Sequence, residues 1–483
     1  MSRVLMVASE ATPFIKTGGL ADVIGCLPPE LKQRGEEVAV VLPWYSEAKV
    51  EEARPVLGDL PIWLGPASFS VRLHQSTVRG VPYFLVECPP LFGRKGVYLG
   101  ADGNFTDNHI RFSVLSRAAL AVARWIFRPQ ILHCHDWQAA LVPIWVRGML
   151  AGDPTFSGVR TLLTIHNLGY QGVFSKAEFA QMGLDRSLFH PGGLELLGDV
   201  NLLKGGIVWS DAISTVSKAY AAEIQTAEYG CRLDGLLRQR AGVLTGILNG
   251  VDYSEWSPEV DPHIAARYSA ADLSGKLVCK RDLLARFGLP EQAMERPLVG
   301  IVSRFTGQKG FDLLEQVATE LAREDLSLVA LGTGEARYEE MFRDLARAHP
   351  DRFAVRVAYD NPLAHQIEAG SDMFLMPSRY EPCGLNQIYS LRYGSVPVVR
   401  ATGGLDDTID ESTGFKFKDY SGEALLAAMR SALAVYHHGE TWRRLMLNGM
   451  ARDHSWKTSA AEYSALYESL RLESWQHVRS SMK

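Results

Sequence analysis

Short apolar runs rich in Val, Leu and Ile, each closed by a turn and followed by a stretch with helical spacing, recur along the chain. They limit the fold more than any other feature. In order they read "RVLMVAS", "EVAVVLPWY", "QILHCHD", "RTLLTIHN", "AISTVS" and "VLTGILNGVD", then after a break "LVGIVSRF", "LSLVALGTG", "FAVRVAYD", "DMFLMPSRY" and "SVPVVRATGG". A strand that is apolar at every residue has to be covered on both faces, which a parallel sheet flanked by helices achieves. Strands alternating with helices predict doubly wound α/β sheets. At 483 residues the chain exceeds what one core serves, so more than one such domain is expected. The joint falls in "GILNGVDYSEWSP", Gly246 to Pro258, where Asn-Gly makes a turn and Trp and Pro break the pattern. The expected domains are residues 1–248 and 253–455, with a mostly polar helical stretch from about Ala265 to Ala293 leading into the second sheet. Residues 456–483 read as an aromatic-rich C-terminal helix, a candidate for packing back on the first domain.

Composition removes several function classes. The 50 Lys and Arg against 55 Asp and Glu give a net charge of −5 without long like-charge runs, so the basic excess of a nucleic-acid binder is missing. No run reaches the about 18 apolar residues of a membrane span. The N-terminus, "MSRVLMVASE", enters a strand directly, without the basic, apolar and cleavage regions of a signal peptide. The six cysteines (Cys26, Cys88, Cys134, Cys231, Cys279, Cys383) are scattered and show no C-x-x-C spacing, which does not suit a disulfide framework. A cytoplasmic enzyme with neither a nucleic-acid nor a membrane partner is expected.

Chemistry-bearing residues gather where these strands end. Lys16 and the turn "KTGGLADV" follow the first run, His135 and Asp136 end "ILHC", and His166 and Asn167 end "TLLTI". Arg304 ends "LVGIVS", Glu381 follows "MFLMPS", and a second Thr-Gly-Gly-Leu turn follows "VPVVR". In open α/β sheets ligands sit outside the carboxyl ends of the strands. Each half is therefore expected to bring its glycine turn to one shared ligand in an interdomain cleft. The first turn offers backbone N–H groups at a helix start beside a lysine, which suits a phosphate-bearing ligand; it equally suits an ordinary strand-to-helix junction with a solvated lysine. It matches neither G-x-G-x-x-G nor the P-loop. In "SRFTGQKG", Arg304 and Lys309 pair a planar fork with a compact charge, as a diphosphate needs, although two solvated loop cations look the same in sequence. In "SRYEPCGLNQ", Glu381 stands at a helix entrance, able to accept from sugar hydroxyls or simply to be a helix-start charge. The sequence shows no evident basic partner for Cys383 beside it, so a nucleophile is not expected there. His133 and His135 in "HCHDWQ" share a strand face, but a metal needs further ligands that the sequence does not supply.

Taken together and in this order, "KTGGLADV", "HCHDWQAAL", "TIHNLGYQG", "ILNGVD", "SRFTGQKG", "SRYEPCGLNQ" and "TGGLDDT" resemble the bacterial glycogen synthase family, the ADP-glucose-using relatives of plant starch synthases. The resemblance implies two Rossmann-like doubly wound domains facing across a cleft, the GT-B glycosyltransferase fold. It implies transfer of glucose from ADP-glucose to the 4-hydroxyl at the non-reducing end of glycogen or another α-1,4-glucan, with retention at the anomeric carbon and no required cofactor or metal. By motif it places Lys16 and Gly19 at the donor's phosphate or glucose, and Arg304 and Lys309 on the diphosphate. Glu381 and the Cys383–Gly384 backbone fall on the glucose hydroxyls. His166 lies beside the anomeric carbon, Asp136 on the acceptor side, Asn249 of "ILNGVD" in the substrate-binding set and Tyr359 near adenine. Asn361 stands where the family usually carries an acid, and Tyr389 where many retaining GT-B enzymes carry a second glutamate. The alternatives are another retaining nucleotide-sugar glucosyltransferase and an inactive α-glucan-binding scaffold.

Overall fold

Val4, Leu5, Met6 and Val7 are fully buried because the strand they form lies mid-sheet, with a parallel neighbour on each side. The computed structural model describes residues 1–100 and 103–481 and separates into two units. The first takes in residues 1–216, 221–250 and the chain from 456; the second takes in 217–220 and 251–455.

The first unit is built on a nine-stranded sheet. Its strands are β1 (Arg3–Val7), β2 (Glu37–Pro43), β3 (Arg54–Leu64), β4 (Ala67–Val78), β5 (Val81–Glu87), β6 (Ile131–His135), β7 (Arg160–Ile165), β8 (Ala212–Thr215) and β9 (Leu244–Gly246). They run in the order β9-β8-β7-β6-β1-β2-β5-β4-β3. All neighbours are parallel except β3–β4 and β4–β5. The sheet is thus mixed, where a parallel one is expected from the apolar runs. Its antiparallel edge is one-sided: in β4, Val71 and Leu73 are buried while Arg72 between them is exposed. Such a strand has no continuous apolar run to betray it.

The C-terminal helix Trp456–Ser481 belongs to this same unit. Trp456, Ala460, Tyr463, Tyr467 and Leu470 recur at the four- and three-residue steps that put side chains on one helix face, and all five are buried against Leu27, Leu31 and Ile131. Ser459 Oγ adds a hydrogen bond to the Leu248 carbonyl. Residues 482 and 483 lie outside the described residues.

The second unit carries six parallel strands, β10 (Leu298–Val302), β11 (Ser327–Gly332), β12 (Phe353–Val357), β13 (Met373–Met376), β14 (Val396–Arg400) and β15 (Phe415–Phe417), in the order β12-β11-β10-β13-β14-β15. Successive strands after β10 step to one side, and from β13 they step to the other. The crevice at such a reversal opens between the carboxyl ends of β10 and β13. In the first unit the corresponding reversal lies between β1 and β6. No helix among the described residues is long and apolar enough to cross a membrane.

Candidate active site

The reversal between β10 and β13 holds a cavity of about 190 Å³, into which Arg304, Lys309, Ser378, Glu381, Gly384 and Asn386 project with an apolar floor of Leu375 and Met376. Arg304 is two residues past β10, and its guanidinium is exposed and unpaired among the described residues. Lys309 ends a single helical turn, Gly307–Lys309, before helix α2 (Phe311–Leu321). Its Nζ lies 2.5 Å from Glu381 Oε2, which also accepts from Ser378 Oγ at 3.0 Å. Glu381 is 5% exposed. It is therefore a buried carboxylate held by one cation and one hydroxyl.

Three ties fix the walls. The Arg379 N–H donates to the Gln308 carbonyl at 2.8 Å, joining the loops that follow β10 and β13. Asn386 Nδ2 donates at 2.8 Å to the carbonyl of Val302, tying the start of helix α3 (Asn386–Tyr393) to the end of β10. Gln387 Nε2 holds the carbonyls of Cys383 and Gly384, each at 3.0 Å. Gly384 has φ +68°, a left-handed conformation that favours glycine. Cys383 is buried and is not among the cavity-lining residues. Tyr359, past β12, is 84% exposed and does not line the cavity either.

In the first unit the loop Lys16–Gly19 is organised by a residue that sequence reasoning missed. Glu10, 3% exposed just past β1, accepts from Thr17 N at 2.5 Å, from Gly18 N at 3.2 Å, from Thr17 Oγ1, and from Tyr98 OH at 3.0 Å. Burial raises its carboxyl above the usual range, and these donors pull the other way. Lys16 Nζ pairs with Asp22 Oδ1 at 2.8 Å, in the first turn of helix α1 (Gly19–Gln33). Asn249, buried past β9, has an enclosed Oδ1 with no hydrogen-bond partner among the described residues.

The ends of β6 and β7 bring Asp136 and His166 together. Asp136 has φ +56°, and this strained turn aims its carboxylate at the next strand end. Oδ1 accepts the His166 N–H at 2.7 Å, and the Asn167 N–H bonds to the same carboxylate. Burial, with a smaller contribution from Glu10, raises the Asp136 carboxyl to about 7. The His166 ring meets His135, Nε2 to Nδ1, at 3.0 Å. Burial lowers His166 to about 3, so the ring is neutral near pH 7. His133 spends both nitrogens inside the unit, on Tyr467 OH at 2.8 Å and Thr164 Oγ1 at 2.6 Å. No group of three potential metal ligands occurs among the described residues.

The two Thr-Gly-Gly-Leu turns differ in what their glycines pack against. A Cβ on Gly18 or Gly19 would meet nothing within 4 Å. A Cβ on Gly404 would lie 1.9 Å from the Cys383 carbonyl oxygen, and one on Gly403 2.0 Å from that of Glu381. Gly404 N already donates to the Glu381 carbonyl at 3.0 Å. Helix α4 (Gly403–Thr408) is thus a backstop that sets the height of the Glu381–Cys383 segment. Gly404→Ala is expected to lower stability by about 2–3 kcal/mol, because backbone has to move. Gly18→Ala is expected to stay within about 1 kcal/mol of the parent. Thermal unfolding of the two variants side by side checks this, and equal midpoints would refute the distinction.

Residues 3–239 match the family model described as starch synthase catalytic domain, and residues 289–444 match that of glycosyl transferases group 1. The glycogen synthase of Koribacter versatilis (strain Ellin345) is 50% identical over 473 residues, 96% of this chain and 97% of that one. The chain belongs to the glycogen synthase family. A second member, from Anaeromyxobacter sp. (strain Fw109-5), is 48% identical over 477 residues, 97% of this chain and 99% of the relative. Among solved structures, the catalytic domain of starch synthase IV from Arabidopsis thaliana, bound to ADP and acarbose, superposes with a TM-score of 0.89 at 32% identity, covering 97% of this chain and 99% of that one. Sucrose-phosphate synthase from Thermosynechococcus elongatus, at 16% identity and a TM-score of 0.60, shares the fold. The architecture is GT-B-type, two Rossmann-like α/β units, and the activity is that of its family, glucosyl transfer from a nucleotide sugar.

Proposed function

We propose that this glycogen synthase family member transfers glucose from ADP-glucose to the 4-hydroxyl at the non-reducing end of an α-1,4-glucan, with retention and release of ADP. The observation that carries the reading is the cavity where an unpaired Arg304, Lys309 and a buried Glu381 converge at the sheet reversal. Arg304 and Lys309 neutralise the diphosphate as its bond to C1 breaks, the moment at which preorganised cations lower the barrier most. Lys309 exchanges its Glu381 partner for phosphate oxygen, and Glu381 turns to the glucose hydroxyls together with the Cys383–Gly384 backbone. Lys16 and Gly19 serve the donor's phosphate or glucose, Asn249 the donor, and Tyr359 the adenine. His166 orients the sugar near C1, and Asp136 fixes the strand end that carries His166 on the acceptor side. No metal or organic cofactor enters the scheme.

The carboxylate lining the cavity supports retention without a covalent intermediate. A double displacement of the retaining-glycosidase kind uses two carboxyls about 5 Å apart. Glu381 is the only carboxylate among the described residues lining the cavity. Tyr389, eight positions on, is stacked on Trp256 at 3.9 Å and 7°, and Trp256 in turn on His365 at 3.6 Å. That position is therefore core. The acceptor oxygen attacks C1 on the face the diphosphate leaves, the C1–O bond to phosphate breaks, and the acceptor proton passes to the departing phosphate.

The test is a matrix of ADP-glucose and UDP-glucose against glycogen and a sugar phosphate, read by nucleoside diphosphate release. Release should be largest with ADP-glucose and glycogen, and the product should be cut by an α-1,4-specific hydrolase. Preference for UDP-glucose would refute the donor, turnover only with the sugar phosphate would refute the acceptor, and no release anywhere would favour a glucan-binding scaffold.

A further inference from the structure

His135 is wholly buried at the end of β6, and its ring faces that of His166, at the end of β7, with centroids 5.3 Å apart. The approach of His135 Nδ1 to His166 Nε2, 3.0 Å, is a hydrogen bond that needs one proton between the two nitrogens. If that proton sat on His166 Nε2, a neutral His135 would have to carry its own on Nε2. That atom is enclosed and has no hydrogen-bond partner among the described residues. A buried N–H without an acceptor is rarer and costlier than a buried lone pair without a donor. The arrangement that avoids it puts the proton on His135 Nδ1, donating to His166 Nε2. His166 then keeps its own proton on Nδ1, the ring nitrogen that takes no partner and is not enclosed.

We infer that His135 is a positioning residue that fixes His166 as its Nδ1–H tautomer, so that His166 presents a hydrogen-bond donor, and no basic lone pair, to what lies beyond β7. Burial also keeps both rings uncharged, which leaves the tautomer as the only variable. The Asp136 carboxylate holds the His166 backbone from the same strand end, so ring and main chain are anchored separately. The consequence for the proposed reaction, which rests on His166 facing the sugar, is that His166 donates to a substrate oxygen and does not act as a general base.

Histidine-selective ¹⁵N labelling and two-bond ¹⁵N–¹H correlation of the full chain read the tautomer directly. The expected spectrum shows His166 with a pyrrole-type Nδ1 and a pyridine-type Nε2; the reverse would overturn the inference without any variant being made. In His135→Leu the His166 pattern should move toward the Nε2–H form preferred by free imidazole, and turnover should fall on the order of 10²-fold with little change in donor KM. His135→Gln, which keeps an N–H donor, should recover part of both signals. Lost turnover with an unchanged His166 pattern in His135→Leu would sink the positioning role. Should the wild-type tautomer be as expected while His166→Ala turns over normally, the placement of His166 at the sugar fails and the tautomer assignment stands.

Discussion

Lys309→Ala is expected to slow glucosyl transfer on the order of 10²- to 10³-fold, the effect of removing one preorganised group from developing charge. It should also weaken ADP binding, since diphosphate is present in both substrate and product. The substitution has a second effect that the ion pair makes separable. Lys309 Nζ is 2.5 Å from Glu381 Oε2, and with the lysine gone that buried carboxylate keeps Ser378 as its side-chain donor among the described residues. A cost of about 1–3 kcal/mol in stability follows from leaving a buried charge short of partners. Glu381→Gln added to Lys309→Ala removes the charge and should return most of the stability and none of the activity. Chemical denaturation and initial rates on the single and double variants decide the matter. Recovery of activity in the double variant would mean that Lys309 only neutralises Glu381, and near-normal kinetics in the single variant would remove it from the diphosphate.

Much of this site was legible before the structure because its residues stand where unmistakable strands stop. Arg304 and Glu381 follow runs buried on both faces, and such runs mark themselves by having no polar residue in the middle. The antiparallel edge β3–β4 was not legible, since a one-sided strand spreads its apolar residues among exposed ones. The two Thr-Gly-Gly-Leu turns show a different limit. The same residues face open space in one place and the backbone of Glu381 and Cys383 in the other, and only a tertiary neighbour separates the cases. His135 and His166 meet because β6 and β7 pair in parallel register with His135 opposite Thr164. Sequence distance hides that contact. Glu10 did leave a trace, an acid directly after the first strand. Its role as acceptor for the Thr17 and Gly18 N–H groups arises only where the loop folds back over the strand end.

Asp136→Asn carries the second large effect, and its sign differs between stability and activity. In the folded chain burial raises this carboxyl from 3.8 to about 7, against the pull of the His166 and Asn167 N–H groups. Between those values the folded state holds a proton that the unfolded state has released. The stabilising contribution is therefore complete below the unfolded value, declines as pH rises through about 7, and amounts to no more than about 4 kcal/mol. The asparagine variant has no such titration, so its unfolding midpoint should gain on the parent between pH 5 and pH 8. Activity should run the other way. The ionised carboxylate accepts most strongly from both N–H groups that hold the His166 strand end, whereas an amide is uncharged and offers one acceptor oxygen in place of two. Turnover of the parent should rise with pH through about 7. In the variant this inflection should vanish and the plateau fall on the order of 10²-fold, as expected when a positioned ring shifts. Glu10, also raised by burial, is the competing source of such an inflection. Persistence of the pH 7 step in Asp136→Asn together with its disappearance in Glu10→Gln would assign the step to Glu10 and reject this account of Asp136.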